Sequence, residues 1–272
     1  MKIYTYIILS LLFIATLLSC EKDVLLNLRS IEPRLVIDAF MQENHPCTVF
    51  LTETQDYYDN DYPIPVESAI IILSDNEGNV EELKETSSGI YQSHTIIGMP
   101  EKTYTLKVTT GGETYVATST MPHTVEVESL YIYNIPIGKE DWYSPCLVFD
   151  DPKGIDNYYM ATLYINGRRL RSPYLFDDEY KDGMRVENIL FYAGDNNKDE
   201  DLKKGDLVKV EMRTITQSAY NYFVSMNSIA SGGGTNPTTN FSGDVLGCFN
   251  IYGFSTIDTI VEDNNIYTKQ AK

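Results

Sequence analysis

From Arg34 to Pro122 the chain runs as short β-type segments broken by turn residues, and this rhythm leaves no room for a helical architecture. Thr48-Val49-Phe50-Leu51-Thr52 and Thr103-Tyr104-Thr105-Leu106-Lys107-Val108 alternate polar with apolar, the period of a strand that buries one face. Leu35 to Phe40 is rich in β-formers, and Ala69-Ile70-Ile71-Ile72-Leu73 is an apolar run bounded by turn residues. Asp75-Asn76-Glu77-Gly78-Asn79 predicts a turn into Val80-Glu81-Glu82-Leu83, and Gly89-Ile90-Tyr91 starts another strand. Gly111-Gly112 predicts a hairpin that returns along Thr114 to Thr118. Seven short strands at this spacing predict a β-sandwich of immunoglobulin-like or transthyretin-like type.

At Met121-Pro122-His123 the proline interrupts strand pairing, and the pattern restarts at Val125 to Tyr133. Further strands are expected at 145–150, 157–165, 185–192, 206–213 and 245–252. One helix is expected from Gln217 to Ile229, capped by Thr216 and ended by Gly232-Gly233-Gly234, with Ala219, Tyr220, Phe223, Met226 and Ile229 near one face. The fold class predicted is therefore mostly β: an N-terminal β-sandwich domain over 34–123 and a second β-rich domain over 124–272 with one short helix.

Ahead of these strands stands MKIYTYIILSLLFIATLLSC, one Lys and an apolar run ending in Leu17-Leu18-Ser19-Cys20. The run falls short of the ~20 apolar residues of a membrane span, and Glu21-Lys22-Asp23 follows it in place of a basic stop-transfer patch. The expected reading is a signal peptide over 1–19 and a lipidated tether over 20–33, with Cys20 carrying the lipid. The protein is then anchored to a membrane through its N-terminal lipid rather than spanning it.

A net charge of −18 disfavours binding to nucleic acid or to anionic lipid headgroups. Cys47, Cys146 and Cys248 have no metal-knuckle spacing and leave an odd thiol once Cys20 is acylated, so isolated buried cysteines are expected. The only histidines, His45, His94 and His123, lie in strand or turn contexts. His45-Pro46-Cys47 places an imidazole near a thiol, but a catalytic pair also needs an orienting group and a cleft. No nucleophile elbow, phosphate-binding loop or dinucleotide fingerprint is present, so neither an enzyme nor a cofactor is expected.

Two loops offer binding chemistry. Asp195, Asn197, Asp199, Asp201 and Asp206 are spaced like the oxygen ligands of a calcium loop. Glu200 replaces the glycine that turns such a loop, and Asp206 is shorter than the usual bidentate Glu, so a solvated charged hairpin is expected there instead. Tyr57-Tyr58-Asp59-Asn60-Asp61-Tyr62-Pro63 joins aromatics to carboxylates, which suits contact with glycan, peptide or protein; Tyr57, Tyr58 and Tyr62 are the candidate contacts.

The order of several short motifs resembles a family of Bacteroidota outer-membrane lipoproteins, domain of unknown function 4249, over nearly the whole mature chain. The motifs are Leu35-Val36-Ile37, Pro65-Val66, Gly89-Ile90-Tyr91, Tyr104-Thr105-Leu106 and Met121-Pro122, then Phe149-Asp150-Asp151-Pro152 with Asn157-Tyr158-Tyr159, Lys204-Gly205-Asp206 and Leu246-Gly247-Cys248-Phe249. The chain departs from the family pattern at Glu101, where glycine is common, and at Cys248, where an aromatic is common. The resemblance implies an outer-membrane location, on either face, and work beside TonB-dependent receptors; it implies no catalytic residues. The function expected is a non-enzymatic accessory or interaction protein of TonB-dependent nutrient uptake. The alternatives are a surface glycan- or peptide-binding lipoprotein and a structural or adhesion subunit.

Overall fold

A computed structural model describes residues 32–55, 63–137, 140–192, 201–230, 232 and 236–268. Pro33–Lys272 forms one compact unit. In chain order its strands are β1 (Leu35–Gln42), β2 (Pro46–Glu53), β3 (Ile64–Pro65), β4 (Ile70–Asp75), β5 (Val80–Glu82) and β6 (Lys84–Ser87). They continue with β7 (Ile90–Ile97), β8 (Thr103–Thr110), β9 (Glu113–Thr120), β10 (Val127–Ile137), β11 (Glu140–Asp150) and β12 (Tyr158–Ile165). Last come β13 (Arg168–Arg169), β14 (Tyr174–Asp177), β15 (Arg185–Ile189), β16 (Leu207–Ile215), β17 (Leu246–Ile260) and β18 (Ile266–Thr268). One helix among the described residues, α1 (Gln217–Ala230), completes a mostly β fold.

The strands build a ten-stranded sheet and two four-stranded ones. The large sheet runs β13-β12-β16-β17-β1-β2-β7-β6, with β14 on β12 and β3 on β2. The small sheets run β15-β11-β10-β18 and β5-β4-β8-β9. Each small sheet covers part of one face of the large sheet, and the apolar side chains between them make two cores. The first core holds Ile37, Met41, Leu51, Ile71, Leu106 and Tyr104; the second holds Leu147, Phe149, Tyr159, Leu163, Val208 and Val210.

Met121 closes the first core and Val125 opens the second, so Met121-Pro122-His123 separates cores. It does not separate sheets. β17 lies parallel to β1 from Val36↔Leu246 to Gln42↔Tyr252, and antiparallel to β16 from Ile215↔Tyr252 to Leu207↔Ile260. One strand thus serves both halves: it sends Phe249 and Ile251 into the first core, and its later residue Ile257 packs on the second.

Part of the opposite face of the large sheet, over β12, β14 and β17, is covered by α1. The Thr216 hydroxyl accepts the Ala219 N–H at 3.3 Å, the cap expected from sequence. Ala219, Tyr220 and Phe223 of the expected face pack with Tyr222 on Met160, Ile215, Cys248 and Tyr252, while Met226 at the end of that face stays exposed. Cys248 is buried here under α1, and burial pushes its thiol up to about 12. Cys47 and Cys146 are likewise buried and free, and burial raises both thiols. Glu101 holds φ at 64°, the left-handed conformation that the commoner glycine adopts without strain.

Glu81 on β5 clasps the two sheets around the first core. Its carboxylate accepts the N–H groups of His94 at 2.6 Å, Thr95 at 3.0 Å and Ile96 at 2.8 Å, plus the Thr95 hydroxyl at 2.7 Å. Burial alone would raise its pKa, but these hydrogen bonds outweigh it and hold the group below the usual carboxylate range. A depressed folded pKa contributes stability above the unfolded value of ~4.3 that is lost as pH falls through the folded value. Glu81→Gln should therefore lower Tm at pH 7 and lose less further stability than wild type on acidification. Parallel acid-melting curves for the two proteins would refute the clasp.

Candidate functional site

Cys20, Tyr57, Tyr58, Tyr62, Asp195, Asn197 and Asp199 lie outside the described residues. The described end of the acidic loop, Asp201 and Asp206, lines a cavity of about 460 Å³ with Asn166, Arg168, Tyr192 and Lys203. Asp206 is a structural clamp in this arrangement. One carboxylate oxygen accepts the Asn166 amide at 2.9 Å and the other the Lys203 N–H at 2.9 Å. The Asn166 side-chain oxygen in turn accepts the Leu207 N–H at 2.9 Å. Together they tie the turn after β12 to the start of β16.

A second acidic group is assembled only by the tertiary structure. Asp151 follows β11 in the small sheet, Asp178 follows β14 in the large sheet, and Asp182 sits in the loop between β14 and β15. One ligand-capable oxygen from each lies within 4.8 Å of the other two. Asp151 and Asp178 are buried, whereas Asp182 is exposed.

Strand geometry explains the convergence. Residues 147 and 149 of β11 and 159, 161 and 163 of β12 point into the second core, so by the two-residue period Asp151 and Asn157 lie on the same inner side. β12 pairs with β14 as Tyr159↔Phe176 and Tyr158↔Asp177, which sets Asp178 opposite Asn157 on that side. Asp178 N–H donates to the Asn157 carbonyl at 3.3 Å, and Asn157 N–H donates to the Asp178 carboxylate at 2.9 Å. The cluster therefore sits where the second core opens between the ends of two facing sheets.

Each carboxylate is oriented by hydrogen bonds. The Tyr159 hydroxyl donates to Asp151 Oδ1, and the Gly183 N–H donates to Asp151 Oδ2 at 3.0 Å. Gly154 N–H donates to Asp182 at 2.5 Å. Among the described residues no lysine or arginine forms an ion pair with these three aspartates. Burial raises the pKa of Asp178; the Asn157 N–H opposes that, and the Asp151 charge adds to it. Around the cluster the same loops expose Ile155 (55%), Tyr180 (84%) and Met184 (56%), apolar side chains with no core to enter.

The family profile described as Domain of unknown function (DUF4249) matches residues 21–258. The chain belongs to the DUF4249 family. No curated protein matches it. The DUF4249 segment takes in the first core, all of the second except Val261 and Ile266, the helix and both acidic groups, and it begins directly after Cys20.

Within this DUF4249 chain, Asp151, Asn157 and Tyr159, three of the residues that carry the resemblance in sequence, meet at one place in space. Asp178 and Asp182 gave no sequence signal, because nothing in their spacing from Asp151 follows a ligand pattern. Strand pairing alone brings them together. Chemically, the arrangement offers negative charge and oxygen donors; His45, His94 and His123 lie elsewhere, His45 bonding the Glu43 carbonyl and His123 the Glu101 carboxylate.

Proposed function

We propose that this protein is a lipid-anchored accessory protein of the outer membrane that binds a partner or ligand without chemistry of its own, and works beside a TonB-dependent receptor in nutrient uptake. The observation that carries this reading is the apolar run ending in Leu17-Leu18-Ser19-Cys20 immediately before the family segment that starts at residue 21. A lipid anchor confines the protein to a plane, so even a modest interface with a membrane receptor is occupied. The sheets supply a scaffold on which loops present contacts: Tyr57, Tyr58 and Tyr62 between β2 and β3 are assigned to the partner.

A direct glycan or peptide binder is the second reading, favoured by the exposed Tyr180, Ile155 and Met184 on loops at one end of the second core.

The test is made on the native membrane protein. Wild type should partition with detergent, carry an acyl mass increment and co-purify with a TonB-dependent receptor after mild extraction. Cys20→Ala should move exported protein to the soluble fraction, since each buried methylene contributes ~0.8 kcal/mol to anchoring. Replacing all three tyrosines by Ala should weaken the receptor association at unchanged Tm. Recovery of crosslinked protein without any receptor would overturn the accessory reading, and specific glycan or peptide affinity in the isolated chain would favour the second.

A further inference from the structure

The second core's open end contains a feature that hydrogen bonding within the chain does not explain. Asn157 is 7% exposed, and its side-chain oxygen Oδ1 is enclosed with no hydrogen-bond partner among the described residues. Leaving a buried carbonyl oxygen without a donor costs about 1–3 kcal/mol. The residue faces the side on which Asp151 and Asp178 converge, directly across the strand pair from Asp178. A buried acceptor without a donor, on the side where three carboxylates converge with no lysine or arginine paired to them among the described residues, points to a place that favours positive charge.

We propose that Asp151, Asp178, Asp182 and the Oδ1 of Asn157 bind one calcium ion, which pins the end of the small sheet to the end of the large one. All the donors are hard oxygens, the preference of calcium and magnesium over zinc or copper. The three carboxylate atoms lie within 4.8 Å of one another. Calcium is favoured over magnesium because it accepts an irregular set of mostly protein oxygens, whereas magnesium gives up its water shell reluctantly and demands near-ideal octahedral geometry.

The carboxylates keep lone pairs for this purpose. Each oxygen of Asp151 that accepts from Tyr159 or Gly183 has a second acceptor site. Donors behind the ligands are the usual support of a metal site, because they hold each carboxylate in its binding orientation. Exposed Asp182 leaves one side open to water, which completes the coordination.

The experiment uses the mature chain, stripped with chelator and melted with calcium or magnesium added. Calcium should raise Tm by about 3–6 °C at roughly ten times its dissociation constant, and magnesium should do clearly less. Asp182→Asn, an isosteric change at an exposed position, should leave the metal-free Tm within about 1 °C and abolish the calcium shift. Asp199→Asn, in the other acidic loop, should retain the full shift. No shift at about 10 mM calcium would overturn the proposal, since even weak extracellular sites fill near 1 mM. So would a shift that survives Asp182→Asn, or one lost in Asp199→Asn, which would place the ion elsewhere. An equal response to magnesium would overturn the assignment to calcium.

Discussion

Gly247→Ala should cost about 3–5 kcal/mol or prevent folding altogether, the largest effect expected of a methyl group added at any described glycine. Gly247 stands opposite Ile37 in the parallel pairing of β1 with β17. Its φ is 101°, a region that side chains rarely enter. A Cβ there would lie 2.1 Å from the Ile37 carbonyl oxygen, 2.6 Å from its carbon and 2.9 Å from its nitrogen. These are backbone atoms in the middle of a central strand, so nothing can swing aside, and β1 would have to leave β17. Gly111 provides the control: its φ is 59°, but a Cβ there meets nothing within 4 Å. Gly111→Ala should therefore cost only the left-handed penalty of about 1–2 kcal/mol. Chemical denaturation of the three proteins separates the effects. A Gly247→Ala protein within about 1 kcal/mol of wild type would mean that β1 and β17 are not paired as described.

Residues 34–123 expressed alone should show no cooperative melt. The fragment keeps most of the first core but loses Phe241, Val245, Phe249 and Ile251, all buried in it. Burying a side chain of this kind contributes about 1.5–3 kcal/mol, so four of them rival the whole stability of about 5–15 kcal/mol typical of a domain. The fragment also strips β1 of its β17 partner from Val36 to Gln42, turning a central strand into an open edge that invites aggregation. Adding a peptide of residues 236–260 should restore a β-type spectrum and a sharp transition. A sharp melt of 34–123 without that peptide would show that the two cores are independent folding units despite the shared sheet.

The two predictions rest on the same feature, and it could not be read from the chain. Leu246-Gly247-Cys248-Phe249 is visibly strand-like, and Leu35-Val36-Ile37 is too, but local alternation carries no information about which strand pairs with which. Pro122, which interrupts a strand locally, lies between Met121 of the first core and Val125 of the second. It could say nothing about the sheet, because sheet continuity is supplied by a strand from the far end of the chain.

What the sequence alone determined is what depends on near neighbours. The two-residue alternation set the strands and their buried faces, Thr216 set the start of α1, and the run ending at Cys20 set the expectation of a lipid anchor. The tertiary structure decided everything that depends on distant partners. It added Tyr222 to the buried face of α1 and left Met226 exposed, because the helix packs over Cys248 and Tyr252. It made Asp206 a clamp by setting Asn166 beside it, and it gathered Asp151, Asp178 and Asp182 at the mouth of the second core. Short-range order follows from backbone sterics and side-chain period, which act within a few residues. Convergence of charges depends on strand pairing across the whole chain, which only the completed sheets define.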